Sequence, residues 1–168
     1  MRYAGLIKND ITAAPGISVT FFCQGCPHRC PGCHNPETWS FEGGKEFRAE
    51  VLEEIYQALQ ANGVNRSFAV MGGEPLCKEN LFLTFLVISN VKKHFPQVPV
   101  YLWTGYYYEE LVKYGGNKIG QILEMVDVLI DGPYKEEQRD ITLKMRGSTN
   151  QSIIDLRKWR KSNGADAD

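Results

Sequence analysis

Cys26, Cys30 and Cys33 fall inside the stretch GCPHRCPGCHNPETW (25–39), with Cys23 just upstream and His28 and His34 flanking them. Thiolates are soft ligands that select zinc and iron–sulfur clusters. Three chemistries compete for such a loop: structural zinc, an electron-carrying cluster, and a four-iron cluster with one iron left open. Structural zinc pairs two short knuckles across a dozen or more residues, whereas Cys23-x2-Cys26 and Cys30-x2-Cys33 are only three residues apart. A ferredoxin run is spaced C-x2-C-x2-C-x3-C-P; the Pro31 after Cys30 fits its ending but the spacing does not match. The third option uses Cys26-x3-Cys30-x2-Cys33, three thiolates for a cubane whose fourth iron keeps an open position. An open position marks catalytic zinc sites, and the same logic is extended here to iron. Five cysteines, an odd number with four crowded together, read as metal ligands and packing residues more readily than as a disulfide framework.

Other chemistry-bearing stretches recur at intervals: Gly72-Gly73-Glu74, Thr104-Gly105-Tyr106, Asp131-Gly132-Pro133 and RGSTNQ (146–151). The elements between them read as alternating strands and helices. Strands are expected at 17–23, 67–71, 98–103 and 127–131, with a last short one near 152–156. Phe47, Val51, Ile55 and Leu59 recur every fourth position and predict a helix over 46–61. A second helix is expected over 78–94, ended by Pro96, and one or two more over 107–125, broken at Gly115-Gly116. Such alternation implies βαβ units and a mostly parallel sheet. Each unusual stretch then follows a strand, and in parallel α/β folds those C-terminal ends gather where ligands bind. A closed eight-stranded barrel takes about 250 residues, so these 168 predict an α/β fold built as an open partial barrel of about five mostly parallel strands.

The C-x3-C-x2-C spacing resembles the radical S-adenosylmethionine (radical SAM) enzymes. FFCQGCPHRCPGCHNPETW and MGGEP look like the corresponding loops of activases for glycyl-radical proteins. WTGY, DVLIDGPY and RGSTNQSIID resemble the branch that activates anaerobic ribonucleoside-triphosphate reductases, and the chain is shorter than activases of the pyruvate formate-lyase type. The resemblance implies that Cys26, Cys30 and Cys33 hold a [4Fe-4S] cluster whose unique iron is chelated by SAM. It implies SAM contacts from Gly32, Cys33, His34, Gly72, Gly73, Glu74 and Thr104, with Glu74 suited to the ammonium. Many such loops carry an aromatic residue before the third cysteine; here Gly32 stands there, so adenine contacts must come from the backbone around Gly32 to His34 or from elsewhere. The implied reaction is one-electron cleavage of SAM, then abstraction of a hydrogen from one glycine in the reductase's C-terminal loop. The implied partners are that reductase and an external electron donor such as flavodoxin or a thioredoxin-type system. Cofactor-borne chemistry of this kind asks for no catalytic acid, base or nucleophile from the chain. The rival readings are an activase of another glycyl-radical enzyme and a zinc-stabilised binding module.

Several residues have plainer readings. Cys23 on its strand and Cys77 beside Leu76 are expected to pack as small hydrophobes. His28 and His34 are loop residues or outer neighbours of the cluster, outside the ligand pattern. Trp39 anchors the loop, and Asp131 either points into the barrel mouth or belongs to an Asp-Gly turn. Composition narrows the class further. A net charge of −1 gives no footprint for nucleic acid, and the basic run 157–161 reads as a solvated chain end. The N-terminus lacks the apolar stretch of a signal peptide, and the longest apolar run (81–89) is too short for a bilayer. The expectation is a single cytoplasmic domain over 1–160, with a disordered tail over 161–168.

Overall fold

The structure, a computed structural model, describes residues 1–163. It is a mixed α/β fold around one open sheet. In chain order the elements are β1 (Arg2–Asp10), β2 (Ile17–Cys23), β3 (Lys45–Glu46), α1 (Ala49–Gln60), β4 (Arg66–Gly72) and α2 (Leu81–His94). There follow β5 (Val100–Trp103), α3 (Tyr108–Tyr114), α4 (Gly116–Met125), β6 (Val128–Asp131), β7 (Ser152–Asp155) and α5 (Leu156–Asn163). Of the expected tail, residues 161–163 continue α5 and 164–168 lie outside the described residues. Among the described residues no helix is long and apolar enough to cross a membrane.

The sheet order is β3-β1-β2-β4-β5-β6-β7. The strands β2, β4, β5 and β6 run parallel, while β1, β3 and β7 pair antiparallel at the margins. This corrects the expectation of about five strands: the parallel centre and the unclosed sheet are as anticipated, but the sheet has seven strands. The strands missed were the two-residue β3 and the long β1. The pairing of β1 with β2 is interrupted by bulges between Tyr3 and Gly5 and between Ile7 and Asp10. Each bulge shifts the side-chain alternation by one, which erases the period-two signal a strand normally shows.

Helices seal one face of the central strands, while Phe22, Met71 and Trp103 on the other face border a cavity. Val19, Phe21, Phe68, Val70, Val100, Leu102 and Leu129 are fully buried in one core with α1, α2 and α4. The helix α1 buries Val51, Ile55, Ala58 and Leu59, one stripe of a 3.6-residue period. Phe47 joins that core from before the helix, edge-on to Tyr3 and Phe21, because Arg48 is extended and starts the helix later than expected. The start of α2 is also late, at Leu81 instead of Lys78. The intervening residues are held as turns, with Leu81 N donating to Cys77 O and the Asn80 side chain to Gly25 O and Glu74 O.

Asp127 fastens the end of the sheet remote from the cysteines. Its Oδ2 accepts from Lys92 Nζ at 2.7 Å and from Val100 N at 2.8 Å. Removing it strands the buried Val100 N–H and, among the described residues, leaves the Lys92 ammonium with only the Val98 carbonyl as partner. Asp127→Ala is expected to lower stability by about 2–4 kcal/mol, read as a reduced urea midpoint with an unchanged slope.

Candidate functional site

Strand register places the cysteine loop. Pairing of β2 with β4 ends at Cys23↔Gly72, so the cysteine loop and the Gly-Gly-Glu turn leave the sheet side by side. They are then stitched together, Gly73 N donating to Cys23 O and Glu74 N to Gly25 O, each at 2.8 Å. A Cβ on Gly72, whose φ is +104°, would stand 2.9 Å from Cys23 O, and one on Gly73 would run into Gly25 O. Both glycines are therefore required by backbone crossing backbone. The loop also closes on itself: Gly25 N donates to Thr38 O and Cys26 N to Trp39 O, while Gln24 Nε2 donates to Glu37 O and Ser40 O.

Within this loop Cys26, Cys30 and Cys33 are half-buried and line a single cavity of about 580 Å³. Gly72, Gly73, Glu74, Thr104, Gly105, His28, His34 and Gly132 line it too. The C-terminal ends of the four parallel strands thus supply one site, as their placement in the sequence anticipated. Burial raises the Cys26 and Cys30 thiols above the ordinary value. Backbone N–H groups of His28 and Arg29 at Cys26, and of Tyr134 at Cys30, pull the other way. Among the described residues no three His, Cys, Asp or Glu side chains converge closely enough to hold one metal ion; the three thiols border a space instead.

Cys23 behaves differently. It is 0% exposed, its Sγ lies 3.8 Å from Thr84 Oγ1, and burial pushes its thiol up to about 12. Cys77 is likewise buried and pushed up to about 12 by burial. Both are packing residues, and the fourth sulfur that a zinc tetrad would need faces the core.

Glu74 is the most constrained polar residue of the site. Only 1% exposed, it accepts from Leu76 N (2.9 Å) and Thr104 Oγ1 (2.7 Å) at Oε1, and from Gly105 N (2.6 Å) and His28 Nε2 (3.0 Å) at Oε2. One carboxylate thus ties the β4 turn, the end of β5 and the cysteine loop together. The His28 ring stands edge-on to Tyr106 at 4.6 Å and occupies the space a Cβ on Gly105 would need.

Other expected residues fall less centrally. Gly32 has φ +70° and lies against the Glu136 side chain, outside the cavity lining. Asp131 also stays out of the lining, and its carboxylate accepts from Tyr108 N and Ser152 N, fixing the start of α3 to β7. Two further walls complete the lining, the first unforeseen and the second being one of the two places open to the RGSTNQ run, over the site or against a partner. One is Ile7, Asp10, Thr12 and Ala13, from β1 and the turn after it. The other is Tyr134, Met145, Arg146, Gly147 and Gln151, from the segment between β6 and β7. The first was hidden with β1 itself; for the second the polar RGSTNQ run was the visible signal.

Asp10 secures the first wall. Burial alone would raise its carboxyl, but hydrogen bonds from Thr12 N, Thr12 Oγ1 and Thr20 Oγ1 outweigh it and hold the group below the usual carboxylate range. A depressed pKa stabilises the fold above the unfolded value near 3.9 and loses that contribution as pH falls through the folded value. The stability advantage of the native chain over Asp10→Asn is therefore expected above about pH 4 and should shrink below it. Urea unfolding of both proteins across that range measures this.

A family profile described as a 4Fe-4S single cluster domain matches residues 13–154. The chain is also similar along most of its length to proteins named anaerobic ribonucleoside-triphosphate reductase-activating protein. That of Vibrio cholerae is 34% identical over 154 residues, covering 91% of this chain and 97% of the relative. That of Pasteurella multocida is 36% identical over 154 residues, covering 91% and 96%. That of Enterobacteria phage T4 is 33% identical over 165 residues, covering 98% and 97%.

Proposed function

This chain belongs to the anaerobic ribonucleoside-triphosphate reductase-activating proteins, and on that premise we propose that it is a radical SAM activase of the anaerobic, class III ribonucleotide reductase. The carrying observation is that three thiols, the Gly72–Gly73 turn and the Thr104–Gly105 corner border one cavity. The residues fit a [4Fe-4S] cluster and SAM on two counts: the donor set is three cysteines without a fourth, and about 580 Å³ lies within the ~300–1,000 Å³ of cofactor sites. When bound, the reduced cluster and SAM supply one-electron cleavage of the sulfonium carbon–sulfur bond, and with it removal of a hydrogen atom from the partner's glycine.

The chain's own residues hold and enclose. Cys26, Cys30 and Cys33 are the cluster ligands. Gly72 and Gly73 offer backbone to the amino-acid end of SAM. Glu74 and Thr104, already bonded to each other, shape that corner more than they touch the ligand, and the backbone is the better acceptor for the ammonium. His34 and Tyr134 both line the cavity, their rings tilted 48° to each other with centroids 5.1 Å apart; they provide the aromatic faces that Gly32 cannot, and Cys33 lines the same cavity. The open sheet is read as a partial (β/α) barrel of the radical SAM type, whose unclosed flank admits the reductase's C-terminal glycine loop. The enzyme would be an oxidoreductase of the cytoplasm, drawing its electron from flavodoxin or a thioredoxin-type system.

The test is anaerobic reconstitution with iron and sulfide, reduction by dithionite, addition of SAM and quantification of 5′-deoxyadenosine. Glycyl-radical proteins are then added singly and the glycyl doublet is sought by electron paramagnetic resonance. A doublet with the ribonucleotide reductase supports the assignment. A doublet only with another glycyl-radical enzyme transfers it to that partner, and a colourless, zinc-loaded protein that never cleaves SAM overturns it.

A further inference from the structure

The RGSTNQ segment forms a built wall of the cavity. Trp103 Nε1, at the end of β5, donates to Met145 O at 2.7 Å. Gln151 Oε1 accepts from Gly147 N (2.9 Å) and Ser148 N (3.2 Å), and Gln151 Nε2 donates to Gly132 O (3.0 Å). Ser148 is fully buried, and Gly147 lies against the rings of Tyr134 and His34. Met145 holds a left-handed φ of +59°, a conformation that a non-glycine side chain adopts only where its surroundings impose it. Met145, Arg146, Gly147 and Gln151 all line the cavity.

We propose that Arg146 recognises a carboxylate inside this cavity, pairing with the α-carboxylate of the amino-acid portion of the bound ligand. Among the described residues Arg146 is the only lysine or arginine in the cavity lining. The two carboxylates there are otherwise committed, Asp10 to Thr12 and Thr20, and Glu74 to its four donors. Asp140 is the acid that senses its charge, but its carboxylate already accepts from Thr142 N and Oγ1. Arg146 makes no ion pair among the described residues. Its Nη1 donates to Gln151 O at 2.8 Å, which fixes one end of the guanidinium, whereas its Nε is buried without a hydrogen-bond partner. A buried N–H left unpaired is costly, and the planar arginine fork suits a carboxylate through two parallel bonds.

The inference rests on the SAM reading. SAM is cationic at its ammonium and sulfonium and carries a single carboxylate, so one arginine among saturated acids meets its one anionic group. Arg146 would be a positioning and specificity residue with no share in bond cleavage.

Equilibrium dialysis under anaerobic conditions, on cluster-loaded protein, compares SAM with decarboxylated SAM. Arg146→Gln is expected to bind SAM about ten- to a hundredfold more weakly, the range of one charged hydrogen-bonded contact. It should bind decarboxylated SAM as the native protein does, while Arg146→Lys should retain part of the preference. Equal loss of both ligands would make Arg146 a structural strut and overturn the proposal, as would undiminished SAM binding by Arg146→Gln. A native protein that binds both ligands equally overturns it without any variant. If the native protein binds SAM, the functional reading survives those failures; if it binds neither ligand, both fall.

Discussion

Replacing Cys26, Cys30 or Cys33 singly with Ala is expected to abolish cluster binding. Iron content after reconstitution should fall from about four per chain to background, and the brown chromophore should disappear. Cys23→Ala should keep both. The contrast follows from where the sulfurs sit: three thiols line the cavity, whereas Cys23 is sealed in the core beside Thr84. Deleting Cys23 removes a small buried group and costs about 1 kcal/mol in packing. Colorimetric iron and sulfide assays, with urea unfolding of the cysteine variants, measure both effects. Equal iron loss on Cys23→Ala would dismantle the three-cysteine assignment.

Glu74→Ala should damage the fold as much as the chemistry. Its carboxylate is the common acceptor for Leu76 N, Thr104 Oγ1, Gly105 N and His28 Nε2, so truncation leaves buried donors without partners. Each unsatisfied donor costs about 1–3 kcal/mol. A loss of about 3–5 kcal/mol is expected, comparable with breaking a buried ion pair and a large share of a domain's stability. Cluster retention should fall with it, since His28 no longer tethers the cysteine loop. Glu74→Gln should recover only part, because its amide presents N–H where donors already converge. If Glu74 served only to bind a ligand, urea unfolding would leave stability unmoved and only ligand affinity would change.

These two cases mark how far the sequence could be read. The grouping of Cys26, Cys30 and Cys33 was legible because they are close in sequence, and the structure brings all three to one cavity. The parallel centre was legible too, since the β2, β4, β5 and β6 runs are β-rich and each ends in an unusual turn. The role of Glu74 was not: its partners come from positions 28, 76, 104 and 105, and only the pairing of β4 with β2 on one side and β5 on the other brings those segments to one end of the sheet. A carboxylate after two glycines invites a ligand role, and nothing local reveals that its lone pairs are already filled. The RGSTNQ run was visible as a polar segment, but its place at the cavity was not decided by sequence, because it is anchored by long-range bonds to β5 and to the turn after β6.

The cysteine loop is closed by its own backbone, Gly25 to Thr38 and Cys26 to Trp39. Its shape is thus fixed by amide pairing that involves no metal. The entropy of ordering it is lost when the chain folds, not when iron arrives. A zinc finger, by contrast, unfolds with its metal. A protein stripped by air would accordingly persist as a folded vessel, and cluster damage becomes an injury that resupply of iron and sulfide repairs without new synthesis.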